Sequence, residues 1–418
     1  MCLLWRAEQG VIKGILVTDV RLVDERSDFR GDLYIEDGLI RAIGVGLRIP
    51  GSAVLPGEGR TLLPAFVDLH AHFRDPGYPE KEDIRSGSVA AVHGGYTAVS
   101  VMANTDPVCD CPEVALYMCS EAEKAGLVEL YPMGAITRGL AGDELSDMER
   151  LAPHVWAFSD DGSGVQHTDV IVRAFQRAVA LGRPIAEHSE YLGINDPALA
   201  EELMVNRDTF LSRRIGAVLH VEHVSSAGSI ELIAAAKRAG ARVTCEVTPH
   251  HLCLEPGYTV NPPLVAETTR DRLVAALVSG QIDAVATDHA PHTAADKEKG
   301  TLGISGIETA FPLLYTQLVR LGRLDLRTLV RAMAAQPARI IGLNKGSLDV
   351  GCDGDVVLIE EDEEFTVTED WLLSRGKNSP LIGERLRGNV WATVRRGEVV
   401  HLNGKVRGRD FDDYRSIV

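Results

Sequence analysis

The chain has 418 residues, 45% of them hydrophobic, and a formal net charge of −17, which allows one large core or two unequal ones and disfavours nucleic acid or an anionic membrane surface as partner. Nothing near the start resembles a signal peptide, and no apolar run approaches the roughly 20 residues that cross a bilayer, so the expected location is the cytoplasm. Seven cysteines without regular spacing fit a reducing compartment rather than a disulfide framework; the Cys109-x-Cys111 pair reads as small apolar filler before it reads as a soft metal site.

In chain order, residues 14–60 show short strands and a turn at Glu36-Asp37-Gly38. The pattern then changes to a repeat of strand, loop, helix and glycine. Apolar or β-branched runs fall near 64–70, 96–104, 128–136, 155–160, 184–188, 218–223, 242–248 and 283–288. Helix-like stretches between several of them stop at Gly95, Gly126, Gly182, Gly240 and Gly280, where a left-handed cap is expected. The segment Thr168 to Leu181 is one such helix, with Ile171, Ala174, Phe175, Ala178 and Val179 on its apolar face. Eight alternating units predict an α/β fold, a parallel (β/α)8 TIM-like barrel. Beyond it, residues 346–408 return to strands, with a hairpin at Arg395-Arg396-Gly397-Glu398, and the acidic run from Glu360 to Glu364 is expected to be a solvated loop. Both ends are β-rich. The expected organisation is a small β-sandwich built from 1–60 and 346–418, with the barrel, 61–345, inserted between them.

Barrel enzymes carry their chemistry at the C-terminal ends of the strands. His70 and His72 end the first strand, Asp160 and Asp161 the fourth, His188 the fifth, His223 the sixth and Asp288 the eighth. Each alone has a structural alternative, a satisfied histidine or an N-cap aspartate. Their coincidence at five strand ends points instead to a metal centre. Six protein ligands exceed what one tetrahedral ion takes, so the count favours two divalent ions bridged by a carboxylate, with Asp161 the better bridge and Asp160 its rival on spacing alone. No lysine stands at the ends of strands 4 or 5 to serve as a carbamylated bridge. Two such ions beside Arg74 imply hydrolysis of an amide-like bond, or its reversal, on a substrate bearing a carboxylate. Mixed histidine and carboxylate ligands accept zinc, cobalt or manganese. His250, His251 and His289 neighbour these positions but are expected to point away, and His93 and His154 precede strands at the opposite face.

The motifs Asp68-x-His70-x-His72-x-Arg74-x-Pro76-Gly77, Asn104-Thr105, Phe158-Ser159-Asp160-Asp161-Gly162, His223-Val224-Ser225, Val247-Thr248-Pro249-His250-His251, Asn261-Pro262-Pro263-Leu264 and Thr287-Asp288-His289-Ala290-Pro291-His292 resemble those of the bacterial type I dihydroorotases of the amidohydrolase superfamily. The resemblance runs from about residue 14 to 405. It implies reversible cyclisation of N-carbamoyl-L-aspartate to (S)-dihydroorotate in de novo pyrimidine biosynthesis, with zinc, two ions per chain, on His70, His72, Asp161, His188, His223 and Asp288. It also implies that Asp161 is the bridge and Asp288 the acid and base. Substrate contacts are implied for His72, Arg74, Asn104, Asn261, His292 and the backbone at Leu302 and Gly303. Family habit allows a homodimer or a complex with aspartate carbamoyltransferase.

Departures from the family pattern are a short His188 to His223 connection, Leu302 where an aromatic residue is expected, and Met102-Ala103 before Asn104. They touch the ring pocket rather than the ligands. A hydantoinase or allantoinase would share the barrel and metals but lack an arginine at position 74. An inactive barrel retained as the structural partner of a carbamoyltransferase would have lost ligands.

Overall fold

The computed structural model describes residues 14–416, so residues 1–13 of the segment expected over 1–60, and 417–418 at the other end, lie outside it. Five strands lead: β1 (Ile15–Val23), β2 (Asp28–Glu36), β3 (Leu39–Gly44), β4 (Ala53–Pro56) and β5 (Thr61–Pro64). The β2–β3 hairpin turns through Asp37 and Gly38 at φ 53° and 75°. Two consecutive left-handed residues match the twist of the flanking strands, and Asp-Gly adopts them at little strain.

Eight parallel strands follow: β6 (Phe66–Ala71), β7 (Tyr96–Val101), β8 (Glu129–Gly134), β9 (Ala157–Phe158), β10 (Ile185–Glu187), β11 (Val218–Val221), β12 (Arg242–Val247) and β13 (Ala284–Val285). Each pairs with the next in chain order, and a parallel bridge from Ala71 to His289 joins the last strand to the first. The result is the (β/α)8 barrel, with every apolar run in its expected place. Strands covered on both faces are predominantly apolar, and β6 and β7 are buried at every residue, Asp68 and His70 included. Leu69, Met102, Met133, Trp156 and Ala284 are among the side chains that fill the lumen, making it a packed core rather than a channel.

The helix Thr168–Leu181 has the expected bounds, and Ile171, Ala174, Phe175 and Ala178 are buried. Val179 lies off that face and is 46% exposed. Gly126, Gly182 and Gly280 cap their helices in the left-handed region, whereas the helix Ile84–His93 is capped by Gly94 and the helix Ala227–Arg238 by Ala239, each one residue before the expected glycine. No helix among the described residues is long and apolar enough to cross a membrane.

The chain ends in β14 (Val356–Thr366), β15 (Arg385–Arg395), β16 (Glu398–Leu402) and β17 (Lys405–Val406). β14 pairs with β5, so both ends of the chain build one nine-stranded sheet, ordered β17-β16-β15-β14-β5-β1-β2-β3 with β4 against β1. Ile15, Val17, Leu33, Leu62, Leu358 and Val394 belong to its own core. The acidic run corrects one expectation: Glu360 to Glu364 lie within β14, at an irregularity in its pairing with β15, rather than in a loop. Nearby arginines make this tolerable. Arg60 binds Glu360 at 2.9 Å, Arg21 binds Glu361 at 3.1 Å and Arg385 binds Glu364 at 3.0 Å.

Lys345 joins barrel and sheet. Its fully buried ammonium bonds Asp355 and lies 3.3 Å from Asp353 and 3.5 Å from Glu129. Removing one partner of a buried ion pair strands the others, so Lys345→Met is expected to lose roughly 3–5 kcal/mol, read as an earlier urea-unfolding midpoint. On the other side of the barrel base, burial, and then the neighbouring His93 ring at 5.1 Å, hold the His401 imidazole well below its ordinary value. A depressed pKa in the fold gives stability that is full above the unfolded value of about 6.5 and is lost as pH falls below it. His401→Gln should therefore make the loss of stability between pH 7 and pH 5 shallower in unfolding measured across that range.

Candidate active site

Strand alternation puts His70 and His72 on one side of β6, with their rings 5.3 Å apart. His70 Nε2 lies 3.6 Å from Asp161 Oδ1 and 3.6 Å from Asp288 Oδ1, while His72 Nε2 lies 3.2 Å from Asp288 Oδ1. His188 Nδ1 is 3.3 Å from Asp161 Oδ1 and 2.8 Å from His223 Nε2, itself 3.6 Å from the same carboxylate oxygen. All six residues expected as metal ligands therefore meet at one mouth of the barrel, around Asp161. Asp160 faces the other way, accepting hydrogen bonds from the Ile136 and Thr137 amides at 2.8 and 3.0 Å and from the Thr137 hydroxyl. Three non-glycine residues of the site, Arg74, His223 and Asp288, have left-handed backbones at φ 58°, 30° and 45°. Strain of this kind persists only where surrounding structure imposes it. For Asp288, that surrounding includes Asp68, which accepts from the Thr287 amide at 2.9 Å and from its hydroxyl, locking β6 to the strand that carries the aspartate.

The charge balance is one-sided. Asp68, Asp161, Glu222, Glu246 and Asp288 are all buried at or just beneath the mouth. Among the described residues, no lysine or arginine lies within 4.0 Å of any of these carboxylates. Burial would push the His188 and His70 imidazoles down, yet the facing carboxylates outweigh it, raising His188 to about 10 and His70 well above its usual value. Burial likewise pushes the Glu222 carboxyl up to about 8 against the pull of His70. The site calls for positive charge. Two groups of side chains, His70-Asp161-Glu222-His223 and His70-His72-Asp288, each bring their ligand atoms within 4.8 Å of one another. The buried Nε2 of His70, common to both groups, has no hydrogen-bond partner. Imidazole and carboxylate donors so placed fit divalent ions of the zinc, cobalt or manganese type.

Glu222 and Glu246 were not among the expected site residues. Glu246 receives His70 Nδ1 on one oxygen and His220 Nε2 on the other, both at 3.0 Å. This arrangement turns Nε2 of His70 toward the centre and orients the ring from behind. The sequence carried a signal for it: a carboxylate within a strand otherwise rich in buried side chains.

The remaining expected residues line the same mouth. Arg74 Nη2 lies 3.1 Å from His292 Nε2 and its Nε donates to Pro291 O at 3.4 Å. It makes no ion pair within 4.0 Å with a described carboxylate. Asn104 straps the centre together, its Oδ1 3.0 Å from His72 Nδ1 and its Nδ2 donating to Asp161 Oδ2 at 3.1 Å. Asn261 Nδ2 donates to Glu190 Oε2 at 3.0 Å, and the same oxygen lies 3.1 Å from His188 Nε2. Leu302 is 48% exposed. The main-chain groups of Gly303 are engaged within the protein, the amide on Thr259 O at 3.1 Å and the carbonyl by Lys297 Nζ and Asn378 Nδ2. A Cβ there would sit 2.7 Å from that of Ala290, so Gly303 lets the wall close in. His251 bonds Thr248 and Pro262 O, and His289 accepts from the Gly306 amide, so both serve packing around the mouth.

Residues 61–400 match the amidohydrolase family model. Similar curated proteins include dihydroorotases from Clostridium botulinum (strain Eklund 17B / Type B), 38% identical with 92% of this chain and 98% of the relative covered, and from Acetivibrio thermocellus, 37% identical with the same coverage. Among solved structures, the L-hydantoinase (dihydropyrimidinase) from Arthrobacter aurescens superposes with a TM-score of 0.87 at 26% identity, covering 95% of this chain and 98% of that one. A D-hydantoinase (dihydropyrimidinase) from Thermus sp. gives 0.84 at 24% identity, covering 95% and 97%, a likeness of fold.

The contrast between the neighbouring aspartates is open to a direct measurement. Asp160→Ala strips three buried donors of their acceptor and should cost roughly 1–3 kcal/mol for each one left unsatisfied, seen as a lower unfolding midpoint. An unchanged midpoint would show that the Ile136–Thr137 turn does not depend on this carboxylate.

Proposed function

The chain belongs to the amidohydrolase family and, within it, to the dihydroorotases, and from that premise we propose that it interconverts N-carbamoyl-L-aspartate and (S)-dihydroorotate plus water as a step of de novo pyrimidine biosynthesis. We infer a cytoplasmic setting, for which the unpaired described cysteines speak. Two zinc ions would be held by His70, His72, Asp161, His188, His223 and Asp288. The observation that carries the substrate reading is Arg74: a half-buried guanidinium at the rim of an anionic centre, with no described carboxylate within 4.0 Å. An arginine fork fits a carboxylate through two parallel hydrogen bonds. The carboxylate of dihydroorotate fills that role, whereas an uncharged hydantoin ring would leave the cation without a counter-charge.

When bound, the ions lower the pKa of water and polarise a carbonyl oxygen, providing a nucleophile and an electrophile near neutral pH. The chain's own residues supply orientation and proton transfer. Arg74 and His292 hold the substrate carboxylate. That fixes the cyclic amide over the mouth and converts an encounter into an oriented reaction. Burial disfavours charge on Asp288, but His72 at 3.2 Å and then His70 outweigh it and hold the carboxyl below its usual range. It therefore stands ready as a base to take a proton from the attacking water. The same carboxyl group then returns that proton to the departing ring nitrogen, and ring closure runs these transfers backwards. Asn104 keeps His72 and Asp161 in register through both directions.

A spectrophotometric assay of dihydroorotate alongside hydantoin and allantoin, with metal analysis of the same sample, tests substrate and cofactor together. The expected result is turnover of dihydroorotate with about two equivalents of metal. Preferential turnover of hydantoin would overturn the substrate reading, and a metal content near zero in protein prepared without chelator would favour a purely structural role. Arg74→Met should raise KM by roughly 10–100-fold with metal content unchanged, as the loss of a charge-assisted pair predicts. Asp288→Asn should lower kcat at least about 100-fold in both directions. Near-wild-type rates in that variant would assign proton transfer to another group.

A further inference from the structure

Arg74 and His292 are held from outside the barrel. The stretch between β14 and β15 passes the loops that follow β6 and β13, and within it Asn378 is buried and fully bonded. Its Oδ1 accepts from the His292 amide at 2.8 Å and from the Ser305 hydroxyl at 2.8 Å, while its Nδ2 donates to the carbonyls of Ala290 and Gly303 at 3.0 Å each. One side chain thus ties together the two walls that flank the arginine. Two residues earlier, Gly376 lies so close to Pro291 that a Cβ would come within 2.6 Å of the proline ring. Pro291 in turn accepts the Nε hydrogen of Arg74.

The anchorage of this stretch is equally specific. Glu308 accepts the Leu373 and Ser374 amides, and the Ser374 hydroxyl bonds the buried Glu82. Such carboxylate contacts fix the strap before it reaches the mouth. Asn378 then presents both an acceptor and a donor edge, and neither alanine nor aspartate can reproduce the pair.

We propose that Asn378 is a positioning residue of the carboxylate clamp: through the His292 amide and the Ala290 and Gly303 carbonyls it sets the place of His292 and, through it, of the Arg74 guanidinium. The inference rests on the reading of Arg74 and His292 as that clamp. Asn378 makes no hydrogen bond to Arg74 or to the six expected metal ligands. Its loss therefore falls on binding, with the reacting centre kept.

The test is steady-state hydrolysis of dihydroorotate, with metal content, for Asn378→Ala, His292→Ala, the double variant and Arg74→Met in the full chain. Asn378→Ala is expected to raise KM about tenfold with kcat changed less than about threefold and metal content unchanged. In the His292→Ala background the same substitution should add little, because two residues acting through one contact are not additive. A KM unchanged by Asn378→Ala, or an undiminished effect in the double variant, overturns the inference. Should the alanine variant fail to fold, Asn378→Asp carries the comparison. It keeps the size and the acceptor for His292 but opposes an oxygen to two carbonyls, so a raised KM at unchanged metal content supports the inference and an unchanged KM overturns it. If Arg74→Met also leaves KM unaltered, the clamp reading fails; if Arg74→Met raises KM and the Asn378 variants do not, only the role of Asn378 fails.

Discussion

Among the described residues, five carboxylates are buried around one barrel mouth with no lysine or arginine within 4.0 Å of them, and this is the constraint on which the rest of the site depends. Uncompensated charge in a low-dielectric interior is unfavourable by several kcal/mol per ion, so the arrangement is stable only with positive charge among the carboxylates or with their protonation. Imidazoles supply part of that charge and are raised for it, His188 to about 10. Divalent ions on the candidate ligands would supply it without proton uptake. Arg74 stands apart at the rim, where its cation remains open to a ligand instead of being consumed by the centre.

The scaffold places these groups through two unlike devices. Parallel strands deliver side chains to one end of the barrel, and sharp left-handed turns at Arg74, His223 and Asp288 re-aim them there. Behind them, Glu246 orients His70, and Asp68 ties down Thr287, the residue before Asp288, by hydrogen bonds. The second device is the strap between β14 and β15, which reaches the mouth from the sheet side and holds the clamp wall. The candidate metal ligands and the proposed carboxylate clamp are thus supported from different parts of the chain.

Much of this is legible in the residues themselves, for identifiable reasons. Barrel strands buried on both faces are largely apolar, so all eight stand out, and their ends point to the six candidate ligands. Spacing could not separate Asp160 from Asp161, because neighbours on a strand end differ only in the side they face. Glu246 is hard to see because it lies inside a strand, and Glu222 because it sits between the end of β11 and His223 with no spacing signal of its own. The acidic run of β14 was misread since its partners, Arg21 and Arg60, lie some 300 residues away in sequence. Asn378 was invisible for a similar reason. Nothing in a Lys-Asn-Ser tripeptide far beyond the last barrel strand announces that it returns to the mouth.

The pairing of β5 with β14 has a consequence for biogenesis. During synthesis from the ribosome, β1 to β5 emerge first, yet the edge of β5 has no neighbour until the whole barrel has been translated. An unpaired edge is a template for pairing with other chains. Long-range strand pairing of this kind is slow because a large loop must close first. Late completion of the sheet therefore makes the nascent polypeptide vulnerable to aggregation for most of its translation, and places the pairing of β5 with β14 next to the segment that carries Asn378.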